Sequence, residues 1–183
     1  MKGKTLLLIG LIVAAISTRI IPHYPNFTAV GAAALFGGVV FKDHFKAFLI
    51  PLVALFISDL VLNNVVYAAY NDGFTLFIQG FYWIYGAFIL TVIMGKYATN
   101  GFKVLPLLAT GVASALVFYL LTNFGSWLGN PLYPQNVTGL MASYAAGLPF
   151  LLSQAAGTIV YGAIMFGAAY AFSISKSAAT VNA

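Results

Sequence analysis

Cysteine and glutamate are both absent from this 183-residue chain. Without cysteine there is no disulfide framework, no thiolate metal site and no sulfur nucleophile. Charge of either sign is scarce. There are 8 Lys+Arg and 3 acidic residues, 6% of the chain, where a soluble domain carries about 25%. So few charges cannot solvate the surface of a soluble domain, which excludes a cytosolic enzyme and a disordered chain. The formal net charge of +5 is spread over separated cations and forms no basic patch, so no nucleic-acid partner is expected. A phosphate-binding P-loop is missing, so the chain cannot hydrolyse ATP by itself in the usual way. No pair of histidines has metal-ligand spacing on one helix, and no Gly-x-Ser-x-Gly elbow occurs. Neither enzymatic activity nor a cofactor nor a metal site is expected.

What is present is apolar sequence: 62% hydrophobic residues, 16% aromatic, and 18 glycines. That composition predicts an all-α, polytopic membrane protein with a single transmembrane domain over 1–183. A spanning helix needs about 20 mostly apolar residues. Charge, proline and turn signals separate six such stretches, at about 4–21, 28–41, 46–67, 76–96, 103–123 and 148–174. The second is short for a full crossing. Pro51, Pro106 and Pro149 are expected near span ends, where the first helical turn tolerates a missing N–H. Lys2 and Lys4 ahead of Leu6–Ile16 have the outline of a signal peptide, but the apolar run continues to Ile21, and the segment reads as span one. With six spans both termini share a side. That side holds seven of the eight basic residues, Lys2, Lys4, Lys42, Lys46, Lys96, Lys103 and Lys176, and is therefore expected to be cytoplasmic.

The remaining polar side chains collect on the other side. The first outer loop carries Arg19, His23 and Asn26. Asp59 and Asn63 fall in the outer half of span three, Asn123 ends span five, and Gln154 lies early in span six. The segment from Asn123 to Pro134, with Trp127, reads as a long outer loop leading through a short apolar stretch, about 137–147, into span six. Polar groups inside a membrane are costly and face a cavity or each other. Asp59 is the only acidic residue well inside a span, and Arg19, the only arginine, lies at the same depth. An ion pair between them is expected, either as a structural fastening of loop one to span three or as a pair that also touches a ligand. Together Arg19, His23, Asn26, Asp59, Asn63, Asn123, Trp127 and Gln154 are the candidate substrate-binding set: a few polar groups among aromatics, as small-molecule sites have. His23 reads equally as a loop histidine bonded to backbone. Two stripes of small residues offer packing faces, Gly10-x-x-x-Ala14 in span one and Ala163-x-x-x-Gly167-x-x-x-Ala171 in span six.

The run from Thr18 to Gly38, with Arg19-x-x-Pro22-His23-x-Pro25-Asn26-Phe27-Thr28 at its heart, is distinctive. Together with Ser58-Asp59-Leu60-Val61-Leu62, Thr122-Asn123-Phe124-Gly125-x-Trp127, Tyr133-Pro134, Thr138-Gly139-Leu140, Tyr144 and Leu148-Pro149-Phe150, it resembles a family of small bacterial membrane proteins described as transport proteins. That family looks like the substrate-binding S components of energy-coupling-factor (ECF) vitamin transporters. The resemblance implies an S-component-like bundle of six helices in the bacterial inner membrane, with an outward-facing site for a vitamin or other micronutrient. It also implies a partner. S components dock an energising module through a small-residue face on span one, here Gly10 and Ala14. Some solitary relatives handle cobalamin through a cobalt-binding cysteine, a chemistry that a chain without cysteine lacks. Two classes of function stay open: substrate capture for an importer, and a non-transporting accessory subunit of a larger membrane complex.

Overall fold

The computed structural model describes residues 2–99 and 102–181, with side chains placed at residue 3 and over 5–99 and 102–172. Among these residues there are six α-helices and no strand: α1 (Lys2–Ser17), α2 (Val30–Val40), α3 (His44–Val61), α4 (Phe81–Ala98), α5 (Val104–Gly129) and α6 (Val137–Val181). Four segments are long and apolar enough to cross a membrane: His44–Val66, Phe81–Ala98, Val104–Gly129 and Val137–Phe172. The apolar helices Thr5–Ile20 and Val30–Val40 are shorter.

The short second stretch has a structural explanation. Helix α2 has 11 residues, a rise of about 16 Å at 1.5 Å per residue, against a hydrocarbon core of about 30 Å. It lies in the centre of the bundle and packs against all five other helices, with every residue from Val30 to Gly38 buried. Small side chains make this central position accessible. A Cβ at Gly38 would overlap the carbonyl oxygen of Val92 in α4, and one at Gly95 would lie 2.6 Å from the Leu35 carbonyl oxygen. Gly37 faces the Pro51 ring of α3, 2.5 Å from where its Cβ would be, and Gly157 of α6 abuts the backbone of Thr28. Around this axis Phe36, Ile12, Leu55 and Val92 are fully buried, and Phe36 meets Phe166 edge-on at 5.0 Å. Lys96 donates from Nζ to the carbonyls of Phe41 and Lys42 at 3.2 and 3.1 Å. It thereby satisfies free acceptors at the C-terminal end of α2, where a cation is favoured.

Helix α3 begins with a side-chain cap, Asp43 Oδ1 accepting from the Lys46 amide at 3.0 Å, and that bond holds the Asp43 carboxyl below the usual carboxylate range. It ends in a π-type turn, Leu62–Val66. There the Asn64 amide donates to the Thr75 carbonyl at 2.9 Å and accepts from the Thr75 amide at 2.7 Å, closing the loop to α4.

Two expectations are corrected. The segment from Asn123 to Pro134 is mostly helix: α5 continues to Gly129, α6 starts at Val137, and only 130–136 connect them. Gly125 and Gly129 resemble loop punctuation, but Gly125 is a contact point, with the Trp83 ring lying directly over its Cα. The prolines Pro51 and Pro149 sit inside helices α3 and α6 rather than at their first turns. Prolines are tolerated inside membrane helices when packing in the bundle holds the helix together; four residues on from Pro149, Ser153 Oγ back-bonds to the Pro149 carbonyl at 3.1 Å.

The cations Lys42, Lys46, Lys96 and Lys103 gather at the end where α2 and α4 finish and α3 and α5 begin. The side chains of Lys2, Lys4 and Lys176 lie outside the described residues. Arg19 is at the opposite end.

Candidate functional site

The polar end of the bundle is fastened at one point. After Ser17, α1 tightens into a 3₁₀ turn, Thr18–Ile20, which turns Arg19 toward α3. Arg19 Nη1 donates to Asp59 Oδ1 and to Ser58 Oγ, both at 2.6 Å. The second carboxylate oxygen, Asp59 Oδ2, accepts from the Tyr85 hydroxyl of α4 at 2.7 Å. Ser58 Oγ in turn donates to the Leu55 carbonyl at 2.7 Å. The Arg19 and Asp59 side chains are each 19% exposed, so both charges are largely removed from solvent and satisfied by each other. Phe77 and Phe81 stand edge-on to the Tyr85 ring at 6.1 and 6.0 Å and shield the network on one side. The expected pair is therefore present, and it is wider than expected: Tyr85 adds a third element to it. A buried tyrosine hydroxyl needs a partner, but with 11 tyrosines in the chain nothing in the sequence singled this one out.

His23 is exposed, with Nδ1 2.6 Å from the Ile21 carbonyl oxygen. A carbonyl only accepts, so Nδ1 carries the proton and Nε2 is left as a free acceptor. Asn26 adopts the left-handed conformation, φ 60°, which asparagine tolerates better than most residues. The Phe27 amide bonds back to the Tyr24 carbonyl and the Thr28 amide to that of Asn26, both at 2.9 Å. Asn63 is buried one helical turn beyond Asp59, and its carbonyl accepts from Asn71 Nδ2 at 2.7 Å. Gln154 is buried against the first turn of α2, its Nε2 2.9 Å from where a Gly31 Cβ would stand. Next to it the Thr158 hydroxyl, turned to the same glycine, has no hydrogen-bond partner among the described residues.

Asn123 and Trp127 make their contacts elsewhere. Asn123 Nδ2 donates to the Tyr119 carbonyl at 2.8 Å, and the Asn123 amide packs on Gly147 of α6. Trp127 Nε1 donates to the Pro134 carbonyl at 2.9 Å. Both hold the α5–α6 hairpin together. The contacts thus join Arg19 to Asp59, leave His23 and Asn26 in the loop that follows Arg19, and assign Gln154 to the α2–α6 seam.

Two of the cavities among the described residues are well outlined, and none of these eight side chains lines either of them. One, of about 380 Å³, lies between the start of α4 and the end of α5, with Gln79, Trp83, Thr122, Ser126 and Asn130 on its wall and no charged side chain. The other, of about 560 Å³, is an apolar groove between α5 and α6. Among the described residues no three His, Cys, Asp or Glu side chains cluster as a metal site would require. On the outside of α1, Gly10 meets no heavy atom within 4 Å, and Gly10 and Ala14 are both exposed.

A bundle of long apolar helices around a buried short one, with an ion-pair network fastening one end, defines a helical membrane protein. The chain belongs to the family of unknown function DUF6580, whose model matches residues 1–180. No curated protein and no solved structure matches the chain.

Proposed function

We propose that this chain is the substrate-capture subunit of a micronutrient importer. It would be a six-span, ECF S-component-like bundle in the bacterial inner membrane, with both termini cytoplasmic and a small-molecule site open to the outside. The observation that carries this reading is the depth of α2. It fills the half of the bundle that holds the lysines, from Gly37 beside Pro51 to Gly31 beside Gln154 and Thr158. Past its N-terminal end come the 18–29 loop, Asp59 and Asn63, with Gln154 against its first turn, so polar side chains collect at the end of the bundle opposite the lysines. Arg19, His23, Asn26, Asp59, Asn63, Asn123, Trp127 and Gln154 remain the proposed substrate contacts. Of these His23, with Nε2 on an exposed loop, and Gln154, whose amide makes no hydrogen bond among the described residues, have hydrogen-bonding capacity to offer a ligand.

The orientation rests on the lysine end facing the cytoplasm. Cysteine, absent from the chain, can be introduced as Asp72→Cys or Lys103→Cys. In intact cells an impermeant maleimide is expected to label position 72 and not 103; the reverse pattern would invert the topology.

Since the chain has no nucleotide-binding motif, transport driven by ATP needs a partner, and the uncovered Gly10–Ala14 face of α1 is the proposed docking surface. Affinity-tagged chain isolated from its native membrane is expected to bring with it an ATP-hydrolysing membrane module. Gly10→Leu and Ala14→Leu should abolish that association with an unchanged unfolding temperature, because the added side chains meet open space at Gly10. Recovery of the chain in a complex that neither hydrolyses ATP nor takes up a solute would identify an accessory subunit instead.

A further inference from the structure

The apolar groove of about 560 Å³ runs along one half of the α5–α6 seam only. In the other half the two helices are zipped together. Tyr119 donates to the Tyr144 carbonyl at 2.6 Å, Ser143 to the Asn123 carbonyl at 2.8 Å and Tyr144 to the Leu120 carbonyl at 3.2 Å. Beyond Gly111 and Thr158 they part. The groove continues past Leu107, Gly162 and Phe166 to Phe102 and Tyr170. It exists because side chains are missing: Gly162 and Gly167 meet nothing within 4 Å.

We propose that this groove holds one acyl chain of an anionic phospholipid, with the headgroup phosphate at Lys103. Three observations select that occupant. The walls are apolar except for Thr158, buried at the inner end, and Tyr170, and both helices are long and apolar enough to cross a membrane, which would set the groove against hydrocarbon. Its length fits a single leaflet: from Thr158 to Tyr170 α6 rises about 18 Å, close to half of a hydrocarbon core of about 30 Å. A transmembrane helix from a partner needs a seam open over the whole span, and this one is closed over half of it. Finally, a cation flanks the open end, at the residue between the wall residues Phe102 and Val104. Lys103 immediately precedes α5, is exposed, and has no carboxylate or side-chain hydrogen-bond partner among the described residues. Lys96 at the same end is engaged by the carbonyls ending α2, and neither Lys42 nor Lys46 neighbours a residue of the groove wall in sequence. The phosphate supplies the opposite charge that the protein does not, and interfacial lysines attract anionic lipid at this level.

The probes are phosphatidylglycerol and phosphatidylcholine with the same acyl chains, each carrying a diazirine near the acyl end, mixed into nanodiscs with the full-length chain. After illumination the cross-linked peptides are mapped by mass spectrometry. Wild type is expected to give phosphatidylglycerol adducts concentrated on 107–111 and 158–166, at about fivefold the phosphatidylcholine yield. Lys103→Gln should bring the two yields together. Gly162→Leu, and separately Gly167→Leu, should remove the concentrated adducts while leaving the unfolding temperature unchanged, since each fills open space. Adducts spread evenly over all membrane-facing helices, equal yields from the two lipids in wild type, or concentrated adducts persisting in both leucine variants would overturn the proposal.

Discussion

Asp59→Ala is expected to lower the free energy of unfolding in detergent by about 3 kcal/mol or more, the usual cost of leaving the other member of a buried pair without its counter-charge. The substitution removes both acceptors of the network at once: Arg19 Nη1 loses Oδ1 and the Tyr85 hydroxyl loses Oδ2. Arg19 keeps only the neutral Ser58 hydroxyl. Tyr85→Phe deletes one hydrogen bond to a charged acceptor and should cost about 2 kcal/mol. The decisive measurement is a double-mutant cycle by thermal or denaturant unfolding. Arg19→Ala with Asp59→Ala should cost clearly less than the sum of the two single changes, because the second removes a charge that the first has already stranded. Additive costs would mean that the ion pair contributes nothing to the fold.

Gly38→Ala is the second large effect. One methyl group is a small change, yet at this position it would occupy the space of the Val92 carbonyl oxygen, with the Lys96 amide 3.0 Å away. The obstacle is backbone in a regular helix and has no rotamer to move to, so α2 and α4 must separate. A loss of about 3 kcal/mol is expected, the upper end of ordinary overpacking costs, read as a lower unfolding temperature and a smaller folded fraction by size-exclusion chromatography. Gly86→Ala in the same helix α4 is the internal control. Gly86 meets no heavy atom within 4 Å, and replacing a helix-interior glycine by alanine favours the helix by about 0.5–1 kcal/mol. The two substitutions should therefore differ in sign. Equal, small effects at both positions would mean that α2 does not pack directly on α4.

The Arg19–Asp59 pair was visible in the sequence because the candidates were so few. A chain with one arginine and one acidic residue well inside an apolar stretch leaves little choice when a buried charge demands a partner. Tyr85 was not visible for the converse reason, since a phenol at the end of an apolar helix serves an interfacial belt as well as a carboxylate. Asn123 and Trp127 share the depth of the other candidates, and depth is all that a span assignment supplies. Which face of α5 each side chain takes, and hence that both bond within the α5–α6 hairpin, depends on how that helix is rotated in the bundle.

Gly125, Gly129, Pro51 and Pro149 carried an ambiguous signal. In water these residues punctuate helices, because free backbone groups and lost side-chain contacts cost stability there. In a packed membrane bundle the missing Cβ of Gly125 admits the Trp83 ring and the Pro51 ring seats Gly37, so the helices run on.

Composition by itself determined that this chain is an all-helical membrane protein without thiol chemistry or a nucleotide motif. Those properties follow from transfer free energies and functional groups, which each residue carries wherever it sits. That α2 is a buried axis too short to cross the membrane, that α5 and α6 close over one half of their seam and part over the other, and that the polar residues divide between a clasp and a hairpin were decided only by tertiary structure. Each depends on which surface a small residue meets, and a glycine's packing value exists only once the opposite backbone is in place.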